Sequence, residues 1–155
     1  MESTNEKTLF EVSEIQLSYK SKVKASLRPK ISSSKDAESI LRKYWNDDLL
    51  ELLEEFKIML LNRYNKVIGI FTVSQGGIAG TVADPKVIFG CALKAAASGV
   101  ILAHNHPSGC LQASQADMDL TKKLSAGGKL LDIQILDHII LSTEAYFSFA
   151  DEGLL

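Results

Sequence analysis

Two histidines, His104 and His106, are the residues of this chain whose types and spacing most directly suggest chemistry. Seven residues separate His106 from Ser114, and Asp117 follows three positions later. Two neutral imidazoles and one carboxylate are a common ligand set for zinc, and they leave a fourth position open for water. Zinc lowers the pKa of such a water to about 7 and so supplies hydroxide near neutral pH. The spacing therefore predicts a catalytic zinc site formed by His104, His106 and Asp117.

The same residues also have a purely structural interpretation. Ser114-x-x-Asp117 resembles a helix capping box with Asp in place of Glu, and the helix dipole favours an acid in the first turn. His104 and His106 could be loop histidines that hydrogen-bond to the backbone. Because all four residues occur together at fixed spacing behind an apolar run, we favour the metal site.

The segments on either side of the motif must position it. Gly99–Ala103 is almost wholly apolar, as expected of a buried central strand that ends at the first histidine. Residues 114–126 read as a helix that we expect to end at Gly127-Gly128. Asp117 would lie one turn inside this helix, so its carboxylate could point back toward the histidines.

The rest of the chain alternates between strand and helix patterns. The predicted strands are Phe10–Tyr19 with a bulge, Phe56–Leu61, Val67–Val73, Ile78–Val82, Leu130–Leu141 (one strand with a bulge, or two short ones) and Tyr146–Phe149. The predicted helices are Ala37–Tyr44 and Pro85–Ala97. This order predicts an α/β fold, a mixed β-sheet flanked by helices. We expect residues 1–30 to be an N-terminal extension with an edge strand and residues 31–155 to be one domain.

Composition narrows the functional class. The chain has 155 residues, of which 46% are hydrophobic and 23% charged, and its net charge is −2, so no global basic field indicates nucleic-acid binding. A short basic stretch between Lys20 and Lys30 is either a solvated edge or a contact for an acidic partner. No apolar run is long enough to span a membrane, and two cysteines form no disulfide framework. We therefore expect a cytoplasmic protein with no membrane contact.

The motif His104-x-His106-Pro-Ser-Gly followed by Ser114-x-x-Asp117 resembles the JAMM metalloprotease signature of MPN/JAB domains. The His-Asn-His-Pro-Ser-Gly version is similar to the RadC branch of that family. The likeness extends from about Glu54 to the C-terminus and includes Leu136-Asp-His-Ile-Ile140. The resemblance implies the cytidine-deaminase-like α/β/α sandwich and a zinc-dependent metallopeptidase or isopeptidase, which cleaves an amide bond in a peptide or protein.

The resemblance also implies roles for individual residues. His104, His106 and Asp117 match the zinc ligands, and Ser114 matches the serine that hydrogen-bonds the water and the oxyanion. Glu54 matches the general base. Glu55 is the alternative, and only one of the two can face the site because adjacent strand residues point to opposite faces.

The third histidine and the N-terminal region leave questions open. His138 is either a buried structural histidine or a second residue supporting the zinc ligands. The residues before Glu54 lack the Gly-rich hairpins of the helix-hairpin-helix module found in full-length RadC proteins. The alternative functions are a DNA-repair-associated nucleic-acid-binding or nuclease module, and a protein scaffold with an inactive site. Exposed edges of a mixed sheet could also support a homodimer.

Overall fold

A computed structural model describes residues 10–77 and 80–155. Three α-helices, α1 to α3, cover Ser34–Tyr44, Pro85–Lys94 and Gln115–Leu130, and a short 3-10 helix covers Ala25–Leu27. Five strands, β1 to β5, cover Glu55–Leu61, Val67–Gln75, Gly99–Asn105, Gln134–Leu141 and Tyr146–Ser148. They form one sheet in the order β2-β1-β3-β4-β5. Only β3 and β4 are parallel, so the predicted mixed α/β sheet is confirmed.

Each α-helix begins where a side chain can satisfy its first free amide groups. Ser33 and Ser114 form complete capping boxes at α1 and α3, and Asp84 caps α2 ahead of Pro85. Such caps each contribute about 1 kcal/mol. α2 begins at the predicted Pro85 and α3 one residue after the predicted Ser114, whereas α1 begins three residues before the predicted Ala37. β1 and β2 pair as an antiparallel hairpin.

The prediction that Gly127-Gly128 ends α3 is wrong, because the helix continues to Leu130. The two glycines instead permit close packing. A Cβ at Gly128 would lie 2.2 Å from the carbonyl oxygen of Ile133, and a Cβ at Gly127 would lie 3.0 Å from the Phe89 ring. As a consequence, β4 begins at Gln134, four residues after Leu130, where the predicted strand started.

The predicted bulge in this strand is present at Leu136. Ile135 pairs with Val100, whereas Asp137 pairs with the next residue, Ile101, which leaves Leu136 as the extra residue. A bulge of this kind places two successive residues on one side of the sheet and shifts the alternation that follows.

The sheet separates two hydrophobic cores. One lies between the sheet and α1, and its members include Leu41, Trp45, Met59, Leu61, Ile101, Ile139 and Leu141. The other lies on the opposite face beneath α2 and α3, and its members include Phe56, Ile58, Leu60, Ile88, Leu102 and Leu124. We call these the α1 face and the α2/α3 face. In β1, odd-numbered residues point to the α1 face and even-numbered residues to the α2/α3 face.

The structure differs from two of the predicted strands, Phe10–Tyr19 and Ile78–Val82. Phe10–Tyr19 forms no strand, and Phe10, Val12, Ile15 and Leu17 are each more than 80% exposed. Apolar alternation indicates strand propensity, but a strand also needs a hydrogen-bonded partner, which this segment lacks within the described residues. Of the predicted strand Ile78–Val82, the first two residues lie outside the described residues, and Gly80 makes only a single bridge, to Gly77. No helix in the described part of the chain is both long and apolar enough to cross a bilayer.

Candidate metal centre

The motif histidines lie where β3 ends. His104 is 1% exposed and points to the α2/α3 face, where its ring stacks on Phe56 with centroids 5.9 Å apart. The next residue, Asn105, points to the α1 face. Its amide group donates to the carbonyl oxygens of Leu50 and Leu53 at 2.8 Å each, and its Oδ1 accepts from the Glu55 N–H at 2.8 Å. Asn105 thus ties the segment that carries Glu54 to the strand that carries the histidines.

Asp117 joins the two histidines from the first turn of α3. Its Oδ1 lies 3.3 Å from His104 Nε2, and its Oδ2 lies 3.5 Å from His106 Nε2. The two Nε2 atoms are 2.9 Å apart. Asp117 also completes the capping box, because its Oδ2 accepts from the Ser114 N–H while Ser114 Oγ accepts from the Asp117 N–H. The capping interpretation and the ligand interpretation are therefore compatible, since the cap fixes the direction of the carboxylate.

These separations suit a tetrahedral zinc ion. Two zinc bonds of about 2.05 Å at the tetrahedral angle place their ligand atoms about 3.3 Å apart. The two Nε2 atoms are 2.9 Å apart, and the nearest Asp117 oxygen of each is 3.3 Å (Oδ1 to His104) or 3.5 Å (Oδ2 to His106) away, so each separation is close to that value. The donor set of two imidazoles and one carboxylate, with one side facing solvent, is also the set that zinc takes in sites with an open position. The residues present thus fit the ion that the motif implies.

His106 is oriented by the loop that follows it. Its Nδ1 lies 2.6 Å from the carbonyl oxygen of Cys110, and because a carbonyl only accepts, Nδ1 carries the proton. In the neutral ring, Nε2 is then left with its lone pair toward Asp117. The carboxylate of Asp117 raises the pKa of His106, against the opposing effect of burial.

Burial alone would raise the pKa of Asp117, but the adjacent His104 and His106 side chains hold it well below its ordinary range. The hydrogen bond from the Ser114 N–H acts in the same direction. The carboxylate is therefore ionised under all ordinary conditions, as a metal ligand must be.

The two adjacent glutamates point in opposite directions. Phe56 pairs with His104 in the antiparallel ladder, so the same register places Glu54 opposite His106. The ligand atoms of Glu54, His104 and His106 all lie within 4.8 Å of one another. Glu55 points to the α1 face, where it is buried. Of the two candidates, Glu54 is the one that faces the histidines.

Glu54 and Ser114 line an open cleft beside the histidines with a volume of about 530 Å³. Burial raises the pKa of Glu54, while the charges of His104 and His106 oppose that effect. A carboxylate whose pKa is raised in this way is a better proton acceptor than an ordinary surface glutamate. Apart from Glu54, His106 and Asp117, the cleft is lined by uncharged residues: Gly80, Thr81, Pro107, Ser108, Cys110, Gln112, Ser114 and Ala116.

His138 lies behind His104 and is completely buried. Its ring stacks on Phe149 at 4.7 Å, and its Nε2 is 2.7 Å from His104 Nδ1. Burial holds the pKa of His138 well below its ordinary value, so the ring is neutral. It is a buried histidine whose two ring nitrogens bond to His104 and to Thr121.

Asn105 and Thr121 were not anticipated from the sequence. Asn105 occupies the central position of His-x-His, which points away from the site, so the motif carries no signal for its role. Thr121 lies one turn beyond Asp117, and its Oγ1 is 2.6 Å from His138 Nδ1. Its i+4 spacing from Asp117 was the only signal that could have found it.

The family model for the RadC-like JAB domain matches residues 31–154. The chain belongs to this family. Among curated proteins, this RadC-like JAB domain is 48% identical over 126 residues to a UPF0758 protein of Flavobacterium johnsoniae, a match covering 81% of this chain and 53% of that protein. It is 45% identical over 103 residues to a UPF0758 protein of Porphyromonas gingivalis, covering 66% and 45%.

A third relative of this RadC-like JAB domain, a UPF0758 protein of Rubrobacter xylanophilus, is 39% identical over 129 residues, covering 83% of this chain and 55% of the relative. The chain thus spans about half the length of the curated relatives it matches.

Proposed function

We propose that this protein is a zinc-dependent hydrolase of amide bonds, of the metallopeptidase or isopeptidase type. The observation that carries the proposal is the arrangement of the His104, His106 and Asp117 ligand atoms at separations of 2.9, 3.3 and 3.5 Å. A zinc ion held by them would supply a Lewis acid and lower the pKa of water at the open position.

Glu54 is the proposed general base. It is half-buried, and it lies within reach of both histidines without being the closest carboxylate to them. A carboxylate in this position can take the proton of the attacking water at its Oε atom and return it to the departing amine. Asp117 is closer to the histidines and is held by the helix cap, so it is better suited to be the fixed ligand.

Ser114 is the proposed donor to the substrate carbonyl. Its Oγ already accepts the Asp117 N–H in the capping box. Its own hydroxyl proton is therefore free to point into the cleft, where it can donate to the oxyanion that develops when the carbonyl is attacked. Removing one such donor costs about 100- to 1,000-fold in turnover.

The lining of the cleft supports a peptide substrate. Apart from Glu54, His106 and Asp117, the described residues that line the cleft are uncharged, so this described lining offers no lysine or arginine for a phosphate backbone. Nucleic-acid binding depends largely on such contacts. An uncharged peptide or isopeptide segment is the better match.

A nucleic-acid-binding role is the second candidate, because Lys20, Lys22 and Lys24 are exposed on one segment. In a gel-shift titration, a DNA complex that weakens steeply with added salt would support this candidate. Unchanged DNA mobility at low salt would exclude it.

The test of the proposed function is the zinc content of the purified protein, measured by elemental analysis, for the wild type, Asp117→Ala and Asp119→Ala. Asp119 lies on the same helix, is exposed and bonds only to Gln115 among the described side chains, so it is a matched control. We expect about one zinc per chain in the wild type and in Asp119→Ala, and none in Asp117→Ala. Wild-type protein that remains zinc-free after zinc is supplied would overturn the proposal.

Given a zinc-loaded protein, the wild type and Glu54→Gln are compared on internally quenched peptides and on a lysine-isopeptide substrate. Turnover by the wild type that is lost in the zinc-loaded variant supports amide hydrolysis with Glu54 as the base. Equal turnover by the two proteins would refute the assignment of the base.

A further inference from the structure

A line of hydrogen bonds runs from α3 through the core to the metal centre. Thr121 Oγ1 donates to the carbonyl oxygen of Asp117 at 2.7 Å and lies 2.6 Å from His138 Nδ1. His138 Nε2 lies 2.7 Å from His104 Nδ1. Thr121, His138 and His104 are 2%, 0% and 1% exposed, so bulk water does not compete for these bonds.

The position of each proton along this line follows from counting donors. A threonine hydroxyl has a single proton, and that of Thr121 is given to the Asp117 carbonyl oxygen, which can only accept. Thr121 Oγ1 must then accept from His138, which places the His138 proton on Nδ1. His138 Nε2 is consequently an acceptor, and the proton between the two rings belongs to His104 Nδ1.

The opposite order of protons would disable the metal centre. If His138 carried its proton on Nε2, His104 Nδ1 would have to accept, and His104 would carry its own proton on Nε2. That proton would point at His106 Nε2, 2.9 Å away, and at Asp117 Oδ1, 3.3 Å away. Both atoms would accept it, so His106 and Asp117 favour this competing tautomer of His104. A contact on the Nδ1 side of the His104 ring must therefore oppose it.

We propose that Thr121 and His138 are positioning residues that hold His104 as its Nδ1–H tautomer, so that the Nε2 lone pair faces the metal position. The inference rests on the proposed zinc site, because the tautomer matters only if Nε2 is a ligand. Neither residue touches the metal or the substrate. Thr121 acts through His138, and His138 acts through His104.

The first experiment needs no metal. Long-range ¹H–¹⁵N spectra of histidine side chains report which ring nitrogen carries the proton, and this chain has only three histidines to assign. In the metal-free wild type we expect both His138 and His104 to carry the proton on Nδ1. A wild-type spectrum with the proton of His104 on Nε2 would overturn the proposal without any mutation.

The second experiment compares Thr121→Val with Thr121→Ser. Valine keeps the shape of threonine but removes the acceptor, so the His138 proton should move to Nε2 and that of His104 to its own Nε2. Serine keeps the hydroxyl and should keep the wild-type tautomers. If Thr121→Val fails to fold, the wild-type spectrum still tests the proposal.

The consequence for the metal is measured as zinc affinity, by competition with a chromophoric chelator. Residues that orient a ligating histidine typically change metal affinity by about 10- to 100-fold. We expect a loss of that size in Thr121→Val and recovery in Thr121→Ser. Equal zinc affinity in all three proteins, with the His104 tautomer unchanged in Thr121→Val, would contradict the inference.

These outcomes separate the two proposals. A wild-type protein that has the Nδ1–H tautomer of His104 but binds no zinc would refute the zinc site and leave the proton order intact. A wild-type protein that binds zinc while its metal-free His104 carries the proton on Nε2 would refute the role of Thr121 and His138 and leave the zinc site intact.

Discussion

Glu54 and Glu55 are neighbours in the chain, yet the two faces of the sheet treat their carboxylates in opposite ways. Glu55 is buried on the α1 face, where it lies 2.9 Å from Lys57 Nζ and accepts from Gln75 Nε2 at 3.0 Å. Lys57 in turn donates to Thr72 and lies over the Trp45 ring. Every charge in this group is matched by a neighbour, so the group is structural.

Glu54 faces the metal-site residues and has no partner of opposite fixed charge in the described part of the chain. Among the described residues, no lysine or arginine pairs with it, and its ionisable neighbours are His104, His106 and Asp117. The Nε2 atoms of the two histidines lie 2.9 Å apart, each within 3.5 Å of an Asp117 carboxylate oxygen. The comparison shows that burial of ionisable groups does not by itself indicate function. A functional site is indicated where a buried carboxylate, such as that of Glu54, is held in place without a lysine or arginine to neutralise its charge.

The largest expected effect that separates the two faces comes from Glu54→Gln. Because the amide cannot take a proton, we expect turnover to fall by about 100- to 10,000-fold while zinc content stays at the wild-type level. Single-turnover assays on the zinc-loaded protein measure the rate. A loss of zinc from this variant would make Glu54 a ligand instead of a base.

The counterpart on the other face is Glu55→Gln, which should leave zinc content unchanged but lower the free energy of unfolding. Removing one partner of a buried pair leaves Lys57 uncompensated and costs about 3 kcal/mol or more. Urea denaturation of the metal-free protein measures the loss. The double variant Glu55→Gln/Lys57→Met is the control, since removing both charges should recover most of that stability. Unchanged stability in the single variant would show that the pair is not buried in solution.

Asn105 should affect both faces at once. Asn105→Ala leaves the Glu55 N–H and the carbonyl oxygens of Leu50 and Leu53 without their partners, at about 1–3 kcal/mol for each buried group left unsatisfied. Because Glu54 is then held less firmly, we expect turnover of the zinc-loaded protein to drop by at least about tenfold. Its control is Asn62→Ala, which removes a similar set of bonds in the β1–β2 turn, to Tyr64 and Lys66.

Asn62→Ala should lower stability but leave turnover per zinc-loaded chain unchanged. Equal turnover in the two asparagine variants would mean that Asn105 has no part in placing Glu54.

The smallest expected effect is a change in the pH dependence of stability at Asp137. Burial raises the pKa of this carboxyl, although hydrogen bonds from Ser148 and from the Ala150 and His138 N–H groups oppose the shift. Because the folded pKa is the higher one, the contribution of Asp137 to stability is complete below the unfolded pKa of about 3.9 and is lost as the pH rises through the folded pKa.

Asp137→Asn removes that dependence and can keep all three hydrogen bonds. The stability of the variant relative to the wild type should therefore increase with pH across the acidic range and then level off above the folded pKa. Denaturant unfolding at a series of pH values measures this, with Asp119→Asn as an exposed reference. A difference curve with the opposite slope would contradict the assigned shift.

Much of the site could be predicted because its information is local. The spacing of His104, His106, Ser114 and Asp117 follows from one strand end and one helix start, each with a clear pattern. The choice of Glu54 over Glu55 depended on a family resemblance and on strand alternation, and the register opposite His106 now gives it a physical reason.

The remainder depended on contacts between distant segments. The role of His138 requires the β3–β4 pairing and α3 together, and neither is visible in the few residues around it. Phe10–Tyr19 shows the reverse error, since its alternation predicted a strand that has no partner in the described structure. The pair Gly127-Gly128 has the composition of a helix end. The close approach of these glycines to Phe89 and Ile133, which is their actual role, depends on tertiary packing and cannot be inferred from the adjacent sequence.

The extra residue Leu136 shifts the alternation of side chains along β4. Leu136 and Asp137 both line the cavity beside α1, and only after them does the alternation place His138 beneath His104. Because Leu136 is the residue without a partner in β3, its loss would restore regular alternation and keep Asp137 opposite Ile101 and His138 opposite Leu102. Length changes in the turn before Gln134 likewise leave both side chains on their present faces. A relative with one residue fewer at Leu136 can therefore keep the same metal centre, whereas a straightened strand that retains Leu136 would exchange the faces of Asp137 and His138.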